Sequence, residues 1–458
     1  MKSVKPAIPL IPDLEARSPW SRHNDKAQVT VHAPAAPVEG TVRISGSKSA
    51  TNRAFLIAAL AQGRSQIEGV LKSDDSYWCL DCLTKLGVQL SIDGDTVVLD
   101  GCGGVWPVQE GELYVGSAGT VARFLPGALA AGTGTWSITG GKRMSERPMA
   151  PLLNSLSQLG ARITQTAADG GLPFTLEASG LQGGESVLPG SVSSQFASGL
   201  LLAAPYAKTP LTVHFDGETV QRAYVDMTLQ MMESFGIAPE ISDDGRSITV
   251  SPGTYQAQAI RLEPDLSTCC YFWAIAALTG GRIRVSGVNP YETSQPDVEF
   301  LNALERMGCT VLRGNVWVEV RGAQQLKGGF SLNMNAWSDQ TLTLAAMAPF
   351  ADGPITLTDA AHIRHHECDR IAAVSQELRK LGIRVEERPD GLTVYPGQPI
   401  PALLDSHDDH RMAMSLSLIG LKAGPIRILN PGCVSKTCPD YFERLAGLGI
   451  QVEFLSQP

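Results

Sequence analysis

Six times along the 458-residue chain, a short amphipathic run closes on an apolar residue followed by glycine: LTKLG, NSLSQLG, MMESFG, ALERMG, ELRKLG and RLAGLG. The glycines are Gly87, Gly160, Gly236, Gly308, Gly382 and Gly449, spaced 73, 76, 72, 74 and 67 residues apart. So even a period means one supersecondary unit used six times. Within each unit the order is constant. A polar residue opens an apolar helix, as in TNRAFLIAALAQG, which stops at Gly63. A β-rich run follows (QIEGV, TWSITG, LTVHF, RIRVSG, PITLT, PIRIL), then a charged loop, then the helix ending on the repeated glycine. Asp93-Gly94, Asp244-Gly245, Gly314-Asn315 and Asp390-Gly391 mark hairpins beyond it. The unit reads as βαβαββ. An α/β (α+β) chain of two domains with three units each is expected.

The sixth unit leaves too little chain after Gly449 for a return strand, whereas QVTVHAP…GTVRIS near the N-terminus belongs to no unit. That segment is expected to complete the sixth hairpin. The domains are then 46–264, and 29–45 plus 265–458, with crossings near 45–46 and 263–265. Residues 1–28, proline-rich and of mixed charge without a continuous apolar run, read as a flexible extension and not as a secretory signal. A formal net charge of −9 excludes the basic footprint of a general nucleic-acid binder. No apolar stretch has the length of a membrane span. Nine cysteines scattered over the chain suit free thiols in a reducing cytoplasm.

The first helix of each unit opens at a cluster: GSKSATNR, GSAGTVAR, SVSSQFAS, PDLSTCC, WSDQTLT and DDHRMAM. Capping accounts for Asp265, Ser267 and Thr268. It does not account for Lys48, Arg53, Arg123 and Arg411, because a helix start already carries positive partial charge. Cations gathered there call for an anion, a phosphate or a carboxylate. GSKS is no nucleotide P-loop, since Ser47 separates Gly46 from Lys48. A second basic set lies in loops: Arg143 and Arg147, Arg370, and Lys436. With it come two carboxylates, Asp339 and Glu367, placed to be held ionised and to exchange protons. His362, His365, His366, His407 and His410 lack metal-ligand spacing and have arginine neighbours, so no metal is expected. Cys79, Cys82, Cys269, Cys270, Trp78 and Trp273 read as packing.

In this order, and over nearly the whole chain from about residue 29, these motifs resemble the 5-enolpyruvylshikimate-3-phosphate synthase family. The resemblance implies two domains that close on ligand. It also implies transfer of the enolpyruvyl group of phosphoenolpyruvate to the 5-hydroxyl of shikimate 3-phosphate, with release of phosphate, in aromatic amino-acid biosynthesis. A monomer working without cofactor is implied. By the same resemblance Lys48, Asp339 and Glu367 are catalytic. Lys48, Ser49, Arg53, Ser193, Ser194, Gln195, Gln221, Tyr224, Asp339 and His366 face the acceptor. Lys48, Gly119, Arg143, Gln195, Arg370, Arg411 and Lys436 face phosphoenolpyruvate. Ser117, Phe124, Gln221 and His366 depart from the residues common in the family. Gln221 and His366 leave a second acceptor open, another phosphorylated hydroxyl compound such as a nucleotide in secondary metabolism. A non-catalytic anion-binding module is a third reading, against which Asp339 and Glu367 count.

Overall fold

All six repeated glycines have a left-handed backbone, with φ between +79° and +108°. Each stops a helix and turns the chain into a hairpin, a geometry that a side chain would strain. The computed structural model describes residues 12–166, 170–191 and 193–457. In it the six units give six four-stranded sheets of one design. In the second unit, Glu110–Tyr114 lies parallel to Thr133–Thr139, which pairs antiparallel with Phe174–Ser179, and Arg162–Gln165 closes the hairpin. The six β-rich runs all become the strand shared between parallel and antiparallel neighbours, Gln62–Glu68, Thr133–Thr139, Leu211–Asp216, Arg282–Ser286, Ile355–Thr358 and Ile426–Leu429.

Three strands are lent across the sequence. Ala259–Arg261 lies parallel to Gln62–Glu68. Lys26–Val31 enters between Ile426–Leu429 and Val452–Ser456, antiparallel to both. Glu39–Arg43 lies parallel to Arg282–Ser286. The expectation that the whole N-terminal segment completes the sixth hairpin is therefore corrected. Its first strand does so, and its second serves the fourth unit. Period alone did not separate them, because both are short β-branched runs in front of the first unit.

Where the chain crosses and recrosses, Gly46 bridges Pro264, Ser47 N donates to Glu263 O at 2.9 Å, and Asp265 N donates to Ser45 O at 2.9 Å. A Cβ on Gly46 would stand 1.9 Å from Gly69 O, so only glycine permits the crossing.

Buried apolar side chains form two clusters, one from residues 50–262 and one from residues 29–44 and 266–450. At the centre of each stand helices with no polar face. Leu266–Thr279 is buried on every side over residues 266–278, as is Gly119–Ala131 along its length. Gly119–Ala131 and Ser194–Ala203 touch backbone to backbone. A Cβ on Gly127 would lie 2.1 Å from Gly199 O, and one on Gly199 would lie 2.1 Å from Arg123 O.

The reading of residues 1–28 as a flexible extension is corrected for residues 12–28; residues 1–11 lie outside the described residues. Leu14–Ala16 is a helical turn capped by Asp13, and Ala16 and Ser18 are buried. Trp78, read as core, is half-buried and donates its indole N–H to Ala16 O at 2.9 Å. Trp273 is fully buried. No helix among the described residues is long and apolar enough to cross a membrane.

Candidate active site

The starts of all six central helices line one cavity of about 70 Å³ between the two clusters. Ser47, Lys48 and Ser49, Thr120 and Arg123, and Ser193 and Gln195 come from the first half. Asp265 and Ser267, Asp339, and His410 and Arg411 come from the second. Asp265 links the halves. Its Oδ1 caps its own helix through Thr268 N at 2.8 Å, and its Oδ2 accepts from Lys48 N at 2.9 Å.

On the first half, Arg53 is held by uncharged groups. Its Nε donates to Thr228 Oγ1 at 2.7 Å, Nη1 to Ser49 O at 2.9 Å and Nη2 to Tyr224 O at 2.8 Å. Burial lowers its pKa to about 10, with no carboxylate to oppose the shift. Arg123 donates to Gln195 Oε1 at 3.0 Å and to the Gly119 and Pro148 carbonyls, and its Nε has no partner. Burial, then the neighbouring Arg147, push its pKa well down. Gly119 makes this crowding possible, since a Cβ there would lie 2.8 Å from an Arg147 nitrogen and 3.0 Å from an Arg123 nitrogen. Lys48 Nζ stands 3.5 Å from Asp75 Oδ2.

On the second half the three cations of the site, Arg370, Arg411 and Lys436, each have a carboxylate. Arg370 donates Nε to Asp409 Oδ2 at 2.7 Å, Nη1 to Asp339 Oδ1 at 3.0 Å and Nη2 to Glu367 Oε2 at 2.9 Å. Arg411 Nη2 donates to Asp339 Oδ2 at 2.8 Å. Lys436 Nζ lies 3.0 Å from Glu367 Oε1 and donates to Ser117 O, across the cleft, at 2.6 Å. Burial would raise both carboxyls. Arg411 and Arg370 outweigh it at Asp339, and Lys436, Arg370 and Arg147 outweigh it at Glu367, so both sit well below the carboxylate range. His366 accepts from Arg370 at Nδ1 (3.1 Å), and burial together with Arg370 keeps it neutral. Burial lowers His362 to about 4.

Tyr224 OH donates to Asp339 Oδ2 at 3.3 Å, and Gln221 Nε2 donates to Ser338 Oγ at 3.0 Å; both bonds span the cleft. Ser194 lies beneath Ser193 and Gln195, buried in the first turn. Arg143, named from the sequence, stands at the rim. Its side chain is 37% exposed and holds the His366 and Glu367 carbonyls across the cleft. Arg147, four residues on, is 8% exposed, lines the cavity and reaches within 3.9 Å of Glu367. Sequence reasoning passed over His362, which lines the cavity and meets Ser338 Oγ at 2.8 Å, because its neighbours His365 and His366 suggested a metal run. Among the described residues no group of three His, Cys, Asp or Glu side chains is arranged to hold a metal ion.

The EPSP synthase (3-phosphoshikimate 1-carboxyvinyltransferase) family matches residues 32–445. A 3-phosphoshikimate 1-carboxyvinyltransferase 2 of Halalkalibacterium halodurans is 51% identical over 445 residues, 96% of this chain and 99% of that protein. A 3-phosphoshikimate 1-carboxyvinyltransferase of Nostoc punctiforme is 43% identical over 419 residues, 91% of this chain and 98% of its own length. Among solved structures, an EPSP synthase from Acinetobacter baumannii superposes with a TM-score of 0.79 at 27% identity, covering 94% of this chain and all of that one. An enolpyruvyl transferase from Streptomyces tendae, 19% identical with a TM-score of 0.76 over 95% of this chain, shares the fold.

Proposed function

The chain belongs to the EPSP synthase family, and from that premise we propose how its cleft carries out the family's reaction. The activity is transfer of the 1-carboxyvinyl group of phosphoenolpyruvate to the 5-hydroxyl of shikimate 3-phosphate, with release of phosphate, a step of aromatic amino-acid biosynthesis. The named relatives favour this acceptor over the alternative phosphorylated compound.

The observation that carries the residue assignment is a pair of ionised carboxylates, Asp339 and Glu367, bridged by one guanidinium, that of Arg370. Asp339 also meets Tyr224, on the side of Ser193, Gln195, Arg53 and Gln221, where the phosphate of the acceptor would neutralise Arg53. Asp339 is then the base for the 5-hydroxyl. Glu367 sits among Lys436, Arg370 and Arg147, the cations that suit the carboxylate and phosphate of phosphoenolpyruvate, with Arg411 and Arg123 beside them. Arrival of those anions competes for the charges that hold Glu367 ionised. Its pKa rises, and it becomes the acid that protonates the methylene carbon. The 5-oxygen bonds to the phosphate-bearing carbon as the methylene takes that proton. The new methyl then returns a proton to Glu367 as the C–O bond to phosphate breaks, and the phosphate leaves with the proton held by Asp339. Lys48 and the arginines stabilise the charge that moves with it. Here Arg147 takes the place given to Arg143 on sequence grounds.

The site is lined from both sides, so the halves 46–264 and 29–45 plus 265–458 part to admit the substrates and close on them. One chain supplies every residue of the site, which suits a monomer, and nine free thiols suit the cytoplasm. The test is phosphate release from phosphoenolpyruvate against a panel of hydroxyl acceptors. Shikimate 3-phosphate is expected to be preferred, and Asp339→Asn and Glu367→Gln to lower turnover by ~10²-fold or more with smaller changes in binding. Turnover within a few-fold of wild type in either variant would remove that residue from the proton transfers.

A further inference from the structure

The segment preceding residue 26 lies outside the family match, which begins at residue 32, yet residues 13–23 are fastened to both halves beside the cleft. Arg17, with its side chain 9% exposed, is clamped between the halves. It donates to Asp408 on the second half and lies 3.7 Å from Asp74 on the first. Asp13 repeats the bridge. Its carboxylate accepts from Lys142 N at 2.7 Å on the first half, and its own N–H donates to Asp408 Oδ2 at 3.1 Å on the second. Ser18 binds Asp74 Oδ1 through Oγ at 2.6 Å, and Arg22 N donates to Ser435 Oγ at 2.9 Å. Both halves are recessed to receive it. A Cβ on Gly141 would lie 2.6 Å from the Asp13 carboxylate, and one on Gly432 would lie 2.9 Å from Asn24 Oδ1.

The anchor points are not arbitrary surface. Asp74, Asp408 and Ser435 each precede, by one residue, a group that orders the site. Asp75 faces Lys48 at 3.5 Å and Lys436 at 3.9 Å, Asp409 holds Arg370 at 2.7 Å, and Lys436 holds Glu367 at 3.0 Å. The backbone of Asp408 has φ +53°, a conformation costly for a non-glycine residue, and its carboxylate is shared by Arg17, Asp13 N and Asn430 Nδ2.

We propose that residues 13–22 are an interdomain clasp and that Arg17 is a positioning residue, holding the halves and the loops that carry Lys436 and Asp409 in the closed register. Arg17 touches no reacting group. It acts through Asp74 and Asp408, and through the residue that follows each. This inference rests on the carboxyvinyl-transfer reading for its kinetic arm only.

The test compares wild type with Arg17→Ala, Arg17→Lys, Asp408→Asn and a chain shortened by residues 1–22, by small-angle scattering without and with both substrates. Without substrates, Arg17→Ala, Asp408→Asn and the shortened chain are expected to show a larger radius of gyration than wild type. With both substrates bound they are expected to return to the wild-type value. In turnover assays the KM for phosphoenolpyruvate is expected to rise about tenfold in Arg17→Ala with kcat changed far less, and Arg17→Lys to recover part of it. Combining Arg17→Ala with Asp408→Asn should cost little more than either alone, as expected of partners in one contact. Wild-type scattering and a wild-type KM in Arg17→Ala would overturn the proposal, even if the melting temperature fell, since a merely structural contact would lower stability and move neither. Should Arg17→Ala fail to fold, Asp408→Asn and the shortened chain carry the same test. Scattering without substrates needs no turnover, so a failed clasp and a mistaken reaction give different results.

Discussion

Arg53 and Arg370 are buried to the same extent, each 1% exposed, and each lines the cavity, yet they are held in opposite ways. Arg53 has two hydroxyls and two carbonyls for company; Arg370 has three carboxylates. The contrast extends to the halves they belong to. The first half presents Arg53 and Arg123 without ion pairs, and Arg147 only loosely paired at 3.9 Å. The second presents Arg370, Arg411 and Lys436 already neutralised by Asp339, Glu367 and Asp409. A buried charge without a counter-charge is costly, and a substrate phosphate removes the cost. One half thus stores destabilisation that binding relieves. The other is self-sufficient, and its carboxylates are free to change proton content when substrate anions compete for their cations.

The largest expected effect follows from removing one guanidinium from each half. Arg370→Ala leaves three buried carboxylates short of charge and is expected to cost about 3–5 kcal/mol of unfolding free energy. Arg53→Met loses hydrogen bonds but also an unpaired buried charge, and is expected to stay within about 1 kcal/mol of wild type. Urea unfolding of both variants at pH 7 measures this, and equal losses would erase the distinction between the halves. Inorganic phosphate should raise the melting temperature of wild type more than that of Arg53→Met.

A middle-sized effect concerns acid. Folding lowers His362 from its ordinary 6.5 to about 4, so between those values the unfolded chain binds more protons. Stability from this group is complete above pH 6.5 and is lost as pH falls towards 4, a change of about 2–3 kcal/mol. His366 and His410, also lowered chiefly by burial, act in the same sense. The acid-sensitive groups therefore lie in the carboxylate-rich half. His362→Asn is expected to flatten the fall in unfolding free energy between pH 6.5 and 4.5. An unchanged slope would show that His362 titrates alike in both states.

The smallest effect tests the seam between the halves. Gln221, at φ +51°, makes a single neutral bond across the cleft to Ser338. Gln221→Ser is expected to change the KM for shikimate 3-phosphate by no more than about fivefold, the scale of one net hydrogen bond of ~1 kcal/mol, with kcat kept. A loss on the scale expected of Asp339→Asn would mean that Gln221 reads the acceptor directly.

How much of this was legible in the sequence depended on whether the cause was local. The helix stops, the hairpins and the six clusters are local events, and the period of Gly87 to Gly449 exposed them. The partition of the N-terminal strands was not, because Lys26–Val31 and Glu39–Arg43 are alike in composition and are sorted by partners found near residues 428 and 284. Arg143 lies in the short helix Lys142–Ser145 and Arg147 just beyond it, and only the tertiary packing that sets Arg147 against Gly119 decides which one is buried. Residues 13–22 looked loose because they carry no apolar period. What orders them is charge and hydrogen bonding to Asp74, Asp408 and Ser435.

The lent strand Lys26–Val31 also has a history in time. It leaves the ribosome long before the strands that flank it, Ile426–Leu429 and Val452–Ser456. About 400 residues separate Val31 from its partner Ile426. At synthesis rates of roughly 5–20 residues per second, the strand waits some 20–80 s with both edges bare. Residues 46–264, complete in themselves, can fold during that interval. The other half cannot be finished until Val452–Ser456 has been made, and until its partners arrive Lys26–Val31 carries unpaired β-edges.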